Sequence, residues 1–146
     1  MQNNCFNWLP PMAPERPNIL LIYTGGTIGM LKDPVKGSLK PLDFTKIWEQ
    51  IPEIKGLGYG IGSVSFEPPI DSSEVEPGTW NRIAEIIEEN YREFDGFVVL
   101  HGTDTMAYSA SALSFMLEHL AKPVIFTGAQ LPLGQLRTDG KENLIT

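Results

Sequence analysis

Cysteine and histidine are scarce in this chain of 146 residues, and their scarcity removes whole classes of chemistry. Cys5 is the only cysteine, so no disulfide can form within the chain and a CxxC metal motif is absent. His101 and His119 are the only histidines, which leaves too few ligands for the usual zinc sites. We therefore expect a reducing compartment and no metal site.

Basic residues are also few. The chain has 11 Lys and Arg against 18 Asp and Glu, with a formal net charge of −7 and a pI near 4.7. Because phosphate recognition depends on clustered Lys and Arg, this balance argues against nucleic-acid binding. It favours a small-molecule or protein partner.

Long hydrophobic runs are missing as well. No stretch approaches the roughly 18 to 20 apolar residues that a membrane helix needs. Residues 1–17 lack a basic segment followed by an apolar one and contain four prolines, which matches neither a signal peptide nor an anchor. We expect residues 1–17 to be a flexible N-terminal extension, and we expect no membrane partner and a cytoplasmic location.

Four short segments, three of them continuous apolar runs, are bounded by turn residues and predict the strands of a mainly parallel sheet. They are residues 18–24, 62–66, 96–101 and 123–127. The second should end at Pro68-Pro69, because proline donates no hydrogen bond to the ladder. Both faces of such continuous apolar strands should be buried.

Helices are predicted between these strands. They run from Asp43 to before Pro52, over residues 77–94 and 106–120, and from near Thr138-Asp139. Residues 30–41 lack periodicity and predict a mobile loop. Alternating strands and helices predict one doubly wound α/β domain over residues 18–146, with a mostly parallel sheet and helices on both faces.

Ligands of such sheets bind beyond the carboxyl ends of the strands. After the first strand comes Thr24-Gly25-Gly26-Thr27-Ile28-Gly29, whose glycines permit positive φ and close approach of a ligand. The segment can be a tight turn in which Thr24 and Thr27 bond local amides, or a binding loop with two hydroxyls. The GxxxxGK[ST] and GxGxxG spacings of phosphate loops are absent.

The second strand is followed by Ile70-Asp71-Ser72-Ser73-Glu74. Its carboxylate and hydroxyls can hold the ammonium and carboxylate ends of an amino acid. The same residue types are also typical of an Asx or Ser turn that caps the next helix.

The third strand leads into His101-Gly102-Thr103-Asp104-Thr105-Met106. In a structural interpretation, Asp104 or Thr105 caps the next helix. In a functional interpretation, Thr103 orients or activates a water or acts as a second nucleophile, and Asp104 accepts a substrate ammonium group. His101 could be a general base, but a histidine at the end of a buried strand is more often a satisfied structural group.

Taken together, residues 23–30 (YTGGTIGM), 71–73 (DSS) and 101–108 (HGTDTMAY) resemble the signature set of the bacterial-type L-asparaginases. Residues 114–118 (SFMLE) and 123–130 (PVIFTGAQ) resemble the type I, cytoplasmic branch, and the similarity runs from about Asn18 to the end. The resemblance implies a flavodoxin-like N-terminal domain that hydrolyses L-asparagine to L-aspartate and ammonia. It also implies no cofactor and a homodimer or homotetramer at full length.

Site residues follow from the same resemblance. Thr27 matches the nucleophile that forms an acyl-enzyme, and Thr103 and Asp104 match the second catalytic group, whose aspartate grips the α-amino group. The other implied substrate-binding residues are Asp71, Ser72 and Ser73 at the α-carboxylate, and Ala129, whose carbonyl helps to position the amide. Backbone amides near Gly25-Gly26 and at Gly102 are candidate oxyanion donors.

Two departures from the family pattern are visible. The family's activating lysine should fall after residue 146, since Lys141 precedes that position, so we expect a truncated domain with an incomplete site. Several members place a catalytic tyrosine in the loop after Gly29, whereas residues 37–41 contain none and Tyr59 lies past a predicted helix. That loop can still act as a lid.

Alternative functions remain open. One is a glutaminase or the ammonia-producing subunit of an amidotransferase. Another is a non-catalytic domain that binds an amino acid and needs no lysine. The family also occurs in proteins that act on lysophospholipids, but no apolar stretch here predicts a lipid groove.

Overall fold

A computed structural model of the chain describes residues 5–10, 15–32, 37–42 and 51–146. Within these residues the strands are β1 Cys5–Leu9, β2 Asn18–Gly25, β3 Met30–Lys32, β4 Leu39–Pro41, β5 Gly60–Ile70, β6 Gly96–Leu100 and β7 Val124–Thr127. The α-helices are α1 Glu53–Gly56, α2 Pro77–Asn90, α3 Met106–Met116 and α4 Gly140–Ile145.

In the described part of the chain the main sheet has five strands, in the order β1-β5-β2-β6-β7. β5, β2, β6 and β7 are parallel, and β1 is antiparallel to β5. In chain order the parallel strands therefore follow the sequence 2-1-3-4, which is the start of flavodoxin-like topology. The predicted doubly wound α/β class is confirmed.

β2 lies at the centre of the sheet because its apolar run can be buried on both faces. Leu20 and Ile22 pack with Ile83 and Ile87 of α2 on one face. On the other face Leu21 and Tyr23 join a second cluster that includes Ile54 of α1, Ile61 and Leu100. This alternation places helices on both sides of the sheet.

The expectation of a flexible extension over residues 1–17 is wrong for Cys5–Leu9, which form β1. The five residues pair with β5 from Cys5–Ser65 to Leu9–Ile61. They contain no proline, so they can add to the open edge of β5. The ring of Trp8 packs edge-on against Phe94, with the centroids 5.4 Å apart.

β5 passes through Pro68-Pro69 instead of ending there, which corrects the predicted end of the second strand. The register with β2 moves from Tyr23–Ser65 to Gly25–Ile70 across an irregularity. The two prolines lie in that interruption, where no ladder donor is required.

The observed helices are shorter than the periodicity predicts. After α2 ends at Asn90, the Lys122 ammonium donates hydrogen bonds to the carbonyls of Tyr91 and Phe94. A cation at these carbonyls satisfies the C-terminal end of the helix. After α3, His119 adopts a positive φ of 54°, which does not continue a helix.

The loop predicted over residues 30–41 contains a short antiparallel ribbon of β3 and β4, so it is more ordered than expected at both ends. Its centre, residues 33–36, and residues 43–50, where the helix from Asp43 is predicted, lie outside the described residues.

β7 is the other edge strand of the sheet, and its Ile125 side chain is exposed although the sequence predicts that both faces of this strand are buried. Ile125 is 54% exposed, and no further strand in the described part of the chain pairs with β7. None of the helices in the described residues combines the length and the apolar character required to cross a bilayer.

Candidate active site

The carboxyl ends of β2, β5 and β6 meet at one edge of the sheet and enclose a cleft of about 290 Å³. From β2 the chain goes first to β5, which is next to β2 on one side, and then to β6, which is next to β2 on the other side. The cleft therefore lies at the topological switch point, where ligands of this topology bind. Its lining residues are Gly26, Thr27, Met30, Pro69, Ile70, Asp71, Ser72, Gly102, Thr103 and Asp104. The structure thus brings together residues from all three predicted segments.

The first wall of the cleft is a glycine bend. Gly25 and Gly26 have φ values of 147° and 85°, and a Cβ on Gly26 would lie 2.5 Å from the Cα of Gly102. Only glycine allows this backbone path and this close approach of the two loops. The bend delivers Thr27 to the cleft at the start of the 3-10 turn Thr27–Gly29.

The two threonines of this segment have different environments. Thr24 is buried, and its hydroxyl donates a hydrogen bond of 3.1 Å to the carbonyl of Leu100 on β6. Thr27 is half-buried, and its hydroxyl has no hydrogen-bond partner among the residues that the structure describes. Thr24 therefore fixes the strands, whereas the Thr27 hydroxyl is available to a ligand.

Tyr23 supports the bend from below. Its hydroxyl lies 3.3 Å from the carbonyl oxygens of both Gly26 and Gly29, to which it can donate. Burial raises the pKa of Tyr23 to about 12, so the phenol stays protonated and remains a donor at neutral pH. Sequence reasoning did not assign Tyr23 a role, although its position directly before the TGGT motif was visible.

The second wall is the turn after β5. Asp71 begins the 3-10 turn Ser72–Glu74 and accepts hydrogen bonds from the amide and the hydroxyl of Ser73, at 2.9 and 2.8 Å. These bonds, first that of the amide, lower the pKa of the Asp71 carboxyl. Asp71 and the buried Ser72 line the cleft, whereas Ser73 is turned to Asp71 and does not.

The third wall is the turn after β6, which presents Thr103 and Asp104. The hydroxyl of Thr105 donates a hydrogen bond of 2.6 Å to the carbonyl of Ser72 and so joins the second and third walls. The side-chain amide of Gln130 donates to the Thr103 hydroxyl at 3.1 Å. Thr103 therefore accepts one bond and keeps its own proton for a further partner. Sequence reasoning assigned no role to Gln130.

Ala129 is the one predicted site residue that is buried under the site. It is 3% exposed, belongs to the second core cluster and does not line the cleft. Asp139 holds the following segment, because its two carboxylate oxygens accept the amides of Gln130 and Leu131, each at 2.9 Å. These two backbone bonds lower the pKa of Asp139.

His101 lies beneath the third wall in a buried hydrogen-bonded chain. Its Nδ1 is 2.7 Å from the carbonyl oxygen of Gly102, and its Nε2 is 2.9 Å from the hydroxyl of Ser109. Ser109 in turn accepts the indole N–H of Trp80 at 3.0 Å. Burial lowers the pKa of His101. With both ring nitrogens occupied by protein groups, His101 is a satisfied structural group and not a free general base.

No group of three or more His, Cys, Asp or Glu side chains that could hold a metal ion occurs within residues 5–10, 15–32, 37–42 and 51–146. The electrostatics of the cleft come instead from the carboxylates of Asp71 and Asp104. Two carboxylates beside two hydroxyls fit a small ligand that carries an ammonium group.

The fold and the cleft define a flavodoxin-like α/β domain with a small polar site at its switch point. The chain matches the family model described as Asparaginase, N-terminal, over residues 18–146. It therefore belongs to the asparaginase family.

Individual relatives agree with this assignment. The chain is 47% identical over 136 residues to L-asparaginase 1 of Escherichia coli K12, which covers 90% of this chain and 39% of that protein. It is 41% identical over 157 residues to the 60 kDa lysophospholipase of mouse, with coverage of 92% and 27%. The crystal structure of L-asparaginase I from Vibrio cholerae superposes with a TM-score of 0.76 at 45% identity, over 89% of this chain and 39% of that one. The chain thus spans about two fifths of the length of its bacterial relatives.

Proposed function

We propose that the complete gene product containing this chain hydrolyses L-asparagine to L-aspartate and ammonia. The observation that carries the proposal is the convergence of Thr27 with Thr103, Asp104 and Asp71 on one cleft. The similarity to bacterial L-asparaginases at 47% and 45% identity supports the same activity.

Thr27 is the proposed nucleophile. Its Oγ1 attacks the side-chain amide carbon, the hydroxyl proton passes to a base and then to the leaving nitrogen, and ammonia departs to leave an ester on Thr27. The half-buried hydroxyl at the mouth of the glycine bend supports this role. Among the described residues, those that line the cleft include no lysine, and their two carboxylates, Asp71 and Asp104, are assigned here to the substrate ammonium. We propose that the base comes from the part of the protein that the longer relatives have in addition.

Thr103 and Asp104 are the proposed second catalytic pair. Thr103 accepts a bond from Gln130 and can donate a hydrogen bond that orients the water that hydrolyses the ester. Asp104 is exposed at the cleft and can pair with the substrate ammonium.

Asp71, Ser72 and Ser73 are the proposed α-amino-acid binding segment, with a division of roles. The lowered pKa keeps Asp71 ionised, so it would share the ammonium group with Asp104. The hydroxyl and the amide of Ser72 would then donate hydrogen bonds to the substrate carboxylate. Ser73 would act by orienting Asp71, to which both of its donors are bound. Ala129 would contribute only through its carbonyl, because its side chain is buried.

The test is ammonia release by wild type, Thr27→Ala and Thr27→Ser in the complete gene product. Thr27→Ala should lower kcat by roughly a thousandfold or more, because it removes the nucleophile, while the melting temperature stays unchanged. Thr27→Ser keeps a hydroxyl and should retain measurable turnover. Retention of more than a few per cent of activity by Thr27→Ala would exclude Thr27 as the nucleophile.

The same assay separates the competing functions. Faster turnover of L-glutamine than of L-asparagine would make the protein a glutaminase, and release of fatty acid from a lysophospholipid would point to the activity named for the mouse relative. Calorimetric binding of L-asparagine without ammonia release would indicate a binding domain. Cytoplasmic location and a homodimer or homotetramer remain proposals, to be checked by fractionation and by light scattering.

A further inference from the structure

The buried chain Trp80, Ser109 and His101 has a fixed direction. An indole N–H can only donate and a carbonyl oxygen can only accept, so the two ends of the chain fix the bonds at Trp80 and Gly102, and burial, which disfavours a charged imidazolium, fixes the bond between Ser109 and His101. The Gly102 carbonyl requires a proton on Nδ1 of His101, which leaves Nε2 of the neutral ring as an acceptor for the Ser109 hydroxyl. Ser109 keeps a lone pair for the Trp80 N–H.

The chain is protected from water at Ser109 and His101. His101 is 1% exposed and Ser109 is 0% exposed. Its three bonds measure 3.0, 2.9 and 2.7 Å from Trp80 to Gly102. The amide of His101 also donates to the carbonyl of Thr127 at 2.9 Å, which fixes the residue in the ladder with β7. The backbone bond to β7 therefore holds the His101 ring in place as it donates to the Gly102 carbonyl.

The acceptor at the end of this chain belongs to the cleft. The Gly102–Thr103 peptide is trans, so the amide hydrogen of Thr103 points opposite to the Gly102 carbonyl and away from the buried ring. Gly102 and Thr103 both line the cleft. Without a Cβ on Gly102 the peptide would be easily rotated, and the His101 bond opposes that rotation.

We propose that Trp80, Ser109 and His101 are positioning residues that hold the Gly102–Thr103 peptide so that Thr103 and its amide hydrogen face the reacting amide group. The proposal rests on the proposed function, since it assigns a role in that reaction. None of the three residues touches the substrate. They act through one peptide bond, whose amide hydrogen can stabilise the negative charge that develops on the substrate oxygen.

Two substitutions at His101 separate positioning from general stability. In His101→Asn the side-chain NH2 occupies the place of Nδ1 and can still donate to Gly102. The freed Ser109 hydroxyl can turn to the carbonyl of Thr105, the residue directly before α3. In His101→Gln the amide reaches the place of Nε2, so it keeps the Ser109 contact and leaves the Gly102 carbonyl without its partner.

Both variants should lower the melting temperature, because both break a buried hydrogen-bonded chain. Asparagine turnover should separate them. We expect His101→Gln to lower kcat roughly tenfold to a hundredfold with little change in KM, as expected when a donor to the transition state is misplaced. His101→Asn should keep kcat close to wild type. Ser109→Ala should fall between the two, because His101 keeps its bond to Gly102 but loses its anchor.

The decisive comparison is kcat of the two His101 variants in the folded complete gene product, together with neutron diffraction of the wild type. A deuterium on Nδ1 and a kcat deficit confined to His101→Gln and Ser109→Ala support the proposal. Equal kcat values for His101→Gln and His101→Asn, or a deuterium on Nε2, would overturn it. A wild type that releases no ammonia would overturn the proposed function instead, and the neutron result would still show the direction of the chain.

Discussion

At the scale of single residues, Tyr23 shows how a buried polar group supports the site from outside it. Its phenol lies beneath the bend that carries Thr27, and a Cβ on Gly29 would lie 2.2 Å from its ring. Gly26 and Gly29 keep other hydrogen bonds, from the amides of Gly29 and Leu42 at 3.3 and 2.7 Å. The Tyr23 hydroxyl is thus a second donor to both carbonyls.

Tyr23→Phe should therefore destabilise the protein by only about 1 kcal/mol, since each carbonyl keeps one partner. The larger effect should be on activity, with kcat lowered because the Thr27 turn loses its support. Tyr108→Phe is the matched control, because Tyr108 is 70% exposed on α3. Denaturant unfolding and ammonia release measure the two effects.

The difference in the free energy of unfolding between wild type and Tyr23→Phe should also depend on pH in the alkaline range. The pKa of Tyr23 is raised to about 12 in the folded protein from 10.0, so between these values the folded state holds a proton that the unfolded state has lost. The stability from this group is complete below pH 10 and is lost as the pH rises toward 12. The free energy of unfolding of wild type should fall relative to Tyr23→Phe across this window. Parallel curves for the two proteins would contradict the assignment of Tyr23 as a buried, protonated donor.

At the scale of elements, the strands and helices were largely predictable because their signals are local. The apolar runs that form β2, β6 and β7 lie between Pro, Gly and polar residues, and the face of α2 that carries Ile83 and Ile87 repeats at helical spacing. β1 and the passage of β5 through Pro68-Pro69 were not predictable. Both depend on pairing with distant residues, which no local pattern records.

The candidate site, like the fold, could be predicted only in part. The three cleft segments follow strand ends, so the topology alone brings Thr27, Asp71 and Thr103 together. The sequence could not show that Ser73 turns to Asp71, that Ala129 is buried or that Ser109 bonds to His101. Those details depend on side-chain directions across separate elements.

The prediction at the scale of elements concerns Asp139, the residue directly before α4. Its carboxylate holds the amides of Gln130 and Leu131, and Gln130 bonds to Thr103. Asp139→Asn keeps the size of the side chain but removes one of the two acceptor oxygens and the charge. We expect faster hydrogen exchange at both amides and a kcat lowered roughly tenfold, because Thr103 loses its oriented partner.

Glu142→Gln is the control for this change, since it removes a nearby exposed charge on α4 and leaves the loop untouched. The stability difference between wild type and Asp139→Asn should disappear in acid. Because the pKa of Asp139 is lowered in the folded protein, its contribution is present above the unfolded value of 3.8 and is lost as the pH falls through the folded one. A difference that persists at low pH would show that the loop is held by something other than this carboxylate.

At the scale of the whole molecule, large apolar side chains are exposed on α3, on β7 and in the segments that follow each of them. They are Tyr108, Phe115 and Met116 of α3, Leu120 after it, Ile125 of β7, and Leu131 and Leu136 beyond it. Phe115 and Leu136 are 84% and 93% exposed. A protein surface rarely leaves so many large apolar groups uncovered unless another surface contacts them.

The 146-residue chain by itself should therefore associate as its concentration rises, despite a net charge of −7 that opposes association. Replacement of Phe115 and Leu136 by serine should weaken this association by tenfold or more, since roughly 1.4 kcal/mol of lost apolar burial corresponds to a factor of ten. Leu39→Ser is the matched control, because Leu39 is a 48% exposed leucine on β4, outside the main sheet. Light scattering across a concentration series measures the effect. A chain that stays monomeric, or an equal response to Leu39→Ser, would show that Phe115 and Leu136 do not belong to an associating surface.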